Sequence, residues 1–214
     1  MAVGMALMAP RSSGLADRFG PKAVCAAGFG LIVLSFLGVQ LLDLDSPVWL
    51  LVVVLGVQGI GMGAVMAPAT ESIMSVVPRE KAGAGAAVNN SVRQVGGALG
   101  VAILGSLLAG SYAAFLGDTT DALPANVRGQ ADSSIVDTLE TVRRLQDSGD
   151  PEVVAAAAGV VEPARDAFVD AMHVTALGTA AAAAFAVVIV LVWLPGRRET
   201  LTPDPRLRDT PARS

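Results

Sequence analysis

GAGAAVNNSVRQVGGALGVAILG, residues 83–105, is the stretch whose reading decides the fold. It has the length and apolarity of a membrane-spanning helix, yet Arg93 sits near its middle. Residues three and four apart are neighbours on a helix surface. At that spacing Gly85, Asn89, Arg93, Gly96 and Gly100 share one stripe, while Val88, Val92, Val95, Leu99 and Ile103 fall on the opposite one. One side is small and polar, the other branched and oily. This pattern predicts a membrane helix that turns its polar side into a bundle or a water-filled path.

Working outward, the chain repeats the same kind of segment. Residues 23–42 are twenty positions without a charge, residues 48–70 are uncharged with a helical continuation to 77, and residues 83–109 and 163–196 hold the third and fourth spans. About twenty apolar residues cross a bilayer core. With 53% hydrophobic residues, 16% charged and a mean hydropathy of +0.59, the composition predicts an all-α, polytopic transmembrane helix bundle. No run of short alternating strands points to a transmembrane barrel. Residues 1–10 are apolar but span only about 15 Å as a helix, so they are read as the end of a truncated helix; residues 11–22 are read as a charged loop.

Residues 110–170 break the rhythm, with eleven acids against four arginines. The part through Gln130 reads as irregular loop. Asp132–Gln146 has a helical pattern, with Ile135, Leu139, Val142 and Leu145 on one face. Asp150-Pro151-Glu152 spells a helix start with proline at its first position, and Pro163 is expected to open the last span. Residues 197–214 have the composition of a disordered tail. Basic residues recur every second turn: Arg11, Arg18 and Lys22, then Arg79 and Lys81, then Arg197 and Arg198. The positive-inside rule puts those turns and the C-terminus in the cytoplasm and the 110–170 insertion outside it, in a multi-pass plasma-membrane protein.

Two stretches resemble a known family. SGLADRFGPK, residues 13–22, is similar to the cytoplasmic loop signature of the major facilitator superfamily, with Leu15, Ala16, Asp17, Arg18, Gly20 and Lys22 at matching places. Ser13 replaces the usual first glycine, and Pro21 replaces a common basic residue. Gly83, Asn90, Arg93, Gln94, Gly96, Gly97, Gly100 and Ala102 resemble a late helix of that superfamily's fourteen-span drug–proton antiporter branch, the EmrB/QacA-like proteins. The resemblance covers residues 1–110 and 163–196. It implies part of the C-terminal half of a major facilitator fold, serving efflux of small amphipathic molecules against protons. It assigns Asp17, Arg18, Gly20 and Lys22 to a gating loop. An N-terminal half carrying the main proton-coupling acids would be missing, leaving this chain inactive alone. The residues themselves keep a second reading open: a non-transporting four-span scaffold or partner protein.

The membrane part offers a candidate polar network. Counting outward from the turn at residue 80 puts Glu71 level with Asn89 on adjoining spans, with Arg93 one turn deeper. A Glu71–Arg93 pair assisted by Asn89 or Asn90, with Gln94 beside it, is therefore expected. An unpaired arginine at the bilayer centre costs about 2.5–3.5 kcal/mol on insertion scales. Gly59 and Gly63 on one span, and Gly96 and Gly100 on the next, have the small-residue spacing that lets helix backbones approach. His173, the sole histidine, reads as a proton relay or an interfacial anchor, and Cys25, the sole cysteine, as a buried small residue. Neither lysine follows the glycine of a G-K-S/T phosphate loop, no G-x-S-x-G elbow occurs, and the basic residues form no nucleic-acid footprint. No cofactor, metal, nucleic-acid partner or enzymatic activity is expected.

Overall fold

The computed structural model describes residues 1–75, 77–122, 129, 134–146 and 151–194. Their order is α1 (Ala2–Phe19), α2 (Pro21–Gly38), α3 (Val48–Met74), α4 (Ala82–Leu116), α5 (Ile135–Gln146) and α6 (Pro151–Trp193), with short 3₁₀ turns at Val39–Leu41, Arg79–Lys81 and Gly117–Ala122. Four of the described helices are long and apolar enough to cross a membrane: Pro21–Leu41, Val48–Met74, Arg79–Leu116 and Val154–Trp193.

Direction follows from which residues meet. Met1, Gly4 and Met5 of α1 lie against Gly59, Gly56 and Gly63 of α3, so these helices run parallel. Gly28 meets Gly61, and Ser35 Oγ donates to the Val54 carbonyl at 2.9 Å, so α2 and α3 are antiparallel. Helix α6 runs antiparallel both to α2, with Gln40 opposite His173, and to α4, with Leu107 opposite Gly178. The lateral order is α1, α3, α2, α6, α4. The Lys22 turn, the Arg79–Lys81 turn and the Trp193 end of α6 share one end of the bundle; the Asp43–Pro47 turn and α5 share the other.

Several boundaries depart from the sequence reading. The expected loop at 11–22 is helix as far as Phe19. Its polar side chains bond back within the helix, Arg11 Nη1 to the Leu7 carbonyl and Ser12 Oγ to the Ala9 carbonyl, so they do not compete with it. The break is confined to Gly20, whose φ of 90° and ψ of 148° suit glycine alone, and Pro21 then opens α2. Residues 110–116, expected as loop, continue α4, because Tyr112 and Leu116 bury themselves against Ala164, Ala167 and Ala171 of α6.

Pro163 does not open a helix either; α6 runs through it from Pro151. Packing clamps both sides of the proline: Ala157 and Val160 against α5, then Ala164 and Ala167 against α4. Tertiary contact thus outweighs the missing i→i−4 bond. With 43 residues, α6 is about 64 Å long, twice a bilayer core. Its first part therefore projects beyond the bilayer, and α5 lies on it with Thr138, Thr141 and Val142 turned inward. The expected tail at 197–214, the first residues of the helix expected from Asp132 and the expected cap at Asp150 lie outside the described residues.

Candidate functional site

The residues singled out from sequence lie at separate places. Asp17 and Arg18 end α1, with the Arg18 guanidinium 5.8 Å from the centroid of the Phe19 ring. Asp17 is exposed and no side chain caps α2, so Asp17 does not serve as its N-cap. Gly20 is the hinge of the turn, and half-buried Lys22 stands just inside α2. This is an exposed polar corner built around one glycine.

Gly59 and Gly63 bring helices together, but the partner is α1 rather than α4. A Cβ at Gly63 would lie 2.9 Å from the Met5 carbonyl oxygen and 3.1 Å from Met8 Cβ. Gly96 and Gly100 meet nothing: a Cβ on either would have no neighbour within 4 Å. The expected seam between α3 and α4 is therefore absent, and the two helices barely touch beyond the turn joining them. Helix α3 uses its small residues on α1 and α2, and α4 leans on α6 instead.

The polar network is correspondingly open. Glu71, Asn90, Arg93 and Gln94 are exposed and Asn89 is half-buried. The ion pairs among the described residues are Glu140–Arg144 and Glu162–Arg165, both within single helices. Glu71 and Arg93 are not joined. Counting from residue 80 puts Arg93 one turn deeper than Glu71, within side-chain reach, but depth does not set lateral distance, and α4 diverges from α3. A guanidinium and the neutral amides of Asn89, Asn90 and Gln94 thus stand along one side of a membrane-length helix with no hydrogen-bond or ion-pair partner among the described residues. That face can hold an anionic or hydrogen-bonding group, or line water.

The described residues contain no group of three or more His, Cys, Asp or Glu side chains able to hold a metal ion. An open groove of about 610 Å³ between α2 and α6, lined by Ala27, Gly30, Leu31, Leu34, Ala184 and Val187 among others, is apolar. It suits acyl chains rather than chemistry.

Two polar ties escaped the sequence reading. Gln40 Nε2 donates to the His173 backbone carbonyl at 2.9 Å, and His173 Nε2 lies 2.9 Å from the Leu42 carbonyl. A carbonyl can only accept, so Nε2 carries the proton in this arrangement. These two bonds fasten α6 to the α2–α3 turn, which makes His173 an anchor here. The second tie joins the Tyr112 hydroxyl to Thr138 Oγ1 at 2.6 Å, and Thr138 Oγ1 also lies 2.9 Å from the Ser134 carbonyl as its donor. It fixes α5 over the end of α4. The single tyrosine was a visible signal; its partner, 26 residues away, had none.

The fold defines a multi-pass α-helical membrane protein with an exposed polar face on α4. Comparison with known proteins gives the family. The Major Facilitator Superfamily profile matches residues 1–123, and the chain belongs to that superfamily. It is 38% identical over 107 residues to the riboflavin transporter RibZ of Clostridioides difficile, which covers 50% of this chain and 24% of that one. It is 39% identical over 137 residues to the puromycin resistance protein pur8 of Streptomyces alboniger, 60% of this chain and 26% of that one. With the methyl viologen resistance protein SmvA of Salmonella typhimurium it shares 29% identity over 171 residues, 80% of this chain and 33% of that one. The SmvA match is long enough to reach past residue 123, into the part that carries α5 and α6. The chain thus spans about a quarter to a third of the length of these relatives. No solved structure matches it.

Proposed function

We propose that this chain is the C-terminal portion of a proton-coupled efflux transporter for small amphipathic organic molecules, of the fourteen-span EmrB/QacA-like branch. In this reading it is inactive until joined to an N-terminal half. The observation that carries it is the unpaired Asn89-Asn90-Arg93-Gln94 face on a membrane-length helix of a Major Facilitator Superfamily member. Transporters of this architecture bind substrate and ion near the midplane, where helices of opposing repeats face one another. Relatives named for resistance to puromycin and methyl viologen support organic cations and amphiphiles as the substrate class. Asp17, Arg18, Gly20 and Lys22 form the gate corner, and Glu71, Asn89, Asn90, Arg93 and Gln94 line or brace the path. The basic turns face the cytoplasm of the plasma membrane, with α5 and the projecting part of α6 outside.

A chimaera tests this. The chain replaces the matching segment of the S. alboniger puromycin resistance protein, and puromycin efflux is measured in proteoliposomes with and without a proton gradient. Gradient-dependent efflux is expected for the chimaera and none for the chain alone. Asp17→Asn and Arg93→Ala should each slow efflux without loss of protein from the membrane. Efflux by the chain alone, or none by a well-inserted chimaera, would refute the reading.

A further inference from the structure

Several polar side chains within the spans are satisfied inside the chain. Ser35, Gln40, Thr70, Thr175 and Thr179 each donate to a backbone carbonyl. The first half of α4 holds the densest group that is not satisfied: the side chains of Asn89, Asn90, Ser91, Arg93 and Gln94 form no hydrogen bond or ion pair with any described residue, and outside it only isolated side chains such as Gln58 and Ser106 share that state. Open space stands beside Gly96, Gly97 and Gly100 in the same half. Steps of four and three lead from Arg93 through Gly97, Gly100 and half-buried Leu104 to Leu107, which faces Gly178 of α6, and Leu108, which packs on the cluster that Tyr112 and Leu116 form with Ala164, Ala167 and Ala171 of α6. The bare polar face is thus the continuation of α4's own packing stripe.

From this we infer that the first half of α4 docks a membrane-spanning helix from outside this chain, one that carries an aspartate or glutamate level with Arg93 and packs against Gly96, Gly97 and Gly100. A guanidinium in a low-dielectric setting calls for a carboxylate, and Arg's fork geometry favours a bidentate one. Glu71 does not supply it, since α3 diverges from α4. A second copy of this chain does not supply it either. Two copies inserted the same way round, meeting face to face about a two-fold axis, would set Arg93 against Arg93. Lipid tails would leave the Arg93 guanidinium and the amides of Asn89, Asn90 and Gln94 unmet. The glycines complete the match, because small residues let a partner backbone come close enough for the pair to form. This deepens the transporter reading, which names the missing half as the source of that helix. The relatives, three to four times as long as the matched stretches, have the additional chain to provide one.

The test places a photo-crosslinking amino acid at Gly97, and at Val92 as a control, in the full chain expressed in its own host membrane. Captured peptides are identified by mass spectrometry. Position 97 should capture one spanning segment bearing an Asp or Glu within about one helical turn of Arg93's level, and position 92 lipid alone. Arg93→Leu should lower that capture roughly tenfold, equivalent to about 1.4 kcal/mol. Arg93→Lys should keep most of it, and Arg93→Asp combined with carboxylate→Arg on the partner should restore it. Capture of a second copy of this chain, of lipid only, or of a segment without a carboxylate overturns the inference, as does capture indifferent to Arg93→Leu. A carboxylate-bearing partner found in a chain whose chimaera moves no puromycin would keep this inference and sink the transport reading.

Discussion

Gly61→Ala measures how closely α2 and α3 are packed. A Cβ at position 61 would lie 2.7 Å from the Gly28 carbonyl oxygen, 2.9 Å from Ile32 Cγ1 and 3.2 Å from the Ile32 nitrogen. Ordinary contact begins near 3.4 Å, so the helices must part by roughly 0.7 Å. The opposing atoms include backbone, which has no rotamer to change. A radial gap of about 0.5–1 Å already forfeits a quarter to a half of the dispersion attraction across a contact. Overpacking of this kind costs about 1–3 kcal/mol. For a chain of this size that lowers the melting temperature by roughly 2–12 °C, at about 2–4 °C per kcal/mol.

The chain holds its own reporter. Cys25 is the sole cysteine, and at 1% exposure within α2 it meets a thiol-reactive dye only after the bundle opens. Labelling against temperature in detergent therefore reads unfolding at the perturbed helix. Gly97→Ala is the matched control, since nothing stands within 4 Å of a Cβ there. It should leave the transition unchanged or raise it slightly through helix propensity. Equal transitions for Gly61→Ala and Gly97→Ala would refute the close α2–α3 approach, and with it the lateral order of the bundle.

Tyr112→Phe keeps the buried ring and removes only its hydroxyl. It should cost about 0.5–1.5 kcal/mol and raise hydrogen exchange in α5 more than in α2 or α3. Gln40→Ala and His173→Ala should each destabilise by a similar amount, and their effects should depart from additivity by about 0.5–3 kcal/mol, because both bonds fasten the same turn to α6. Thermal unfolding of both singles and the double checks this. Nitrogen NMR of the neutral imidazole should find the proton on Nε2 of His173; an Nδ1-protonated ring would contradict the bond to Leu42.

Much of this protein is legible in one dimension. Bilayer thickness turns a long uncharged run into a helix whatever surrounds it, so the four spans and the family-like corner at Asp17–Lys22 can be read from residue order alone. The amphipathic α5 is visible for the same reason, since its apolar spacing matches a helical period. Termini were less legible. Leu116 and Pro163 lie inside helices because Tyr112, Leu116 and the alanines of α6 bury one another, and no local propensity announces a contact between residues so far apart in the chain. The candidate site divides the same way. Its composition, one arginine among asparagines and glycines, was plain from Gly83–Gly105. Its pairing was not: Glu71 level with Asn89, one turn short of Arg93, suggested a Glu71–Arg93 pair, but lateral neighbours are chosen by side-chain fit. The close fit of Gly61 on Gly28 and of Gly63 on Met5 commits α3 to α2 and α1. Sequence by itself determined which segments cross the membrane and which face of α4 is polar. Only the tertiary structure decided what that face meets, because helices inside a bilayer gain nothing from burial as such and assort by how closely their surfaces pack.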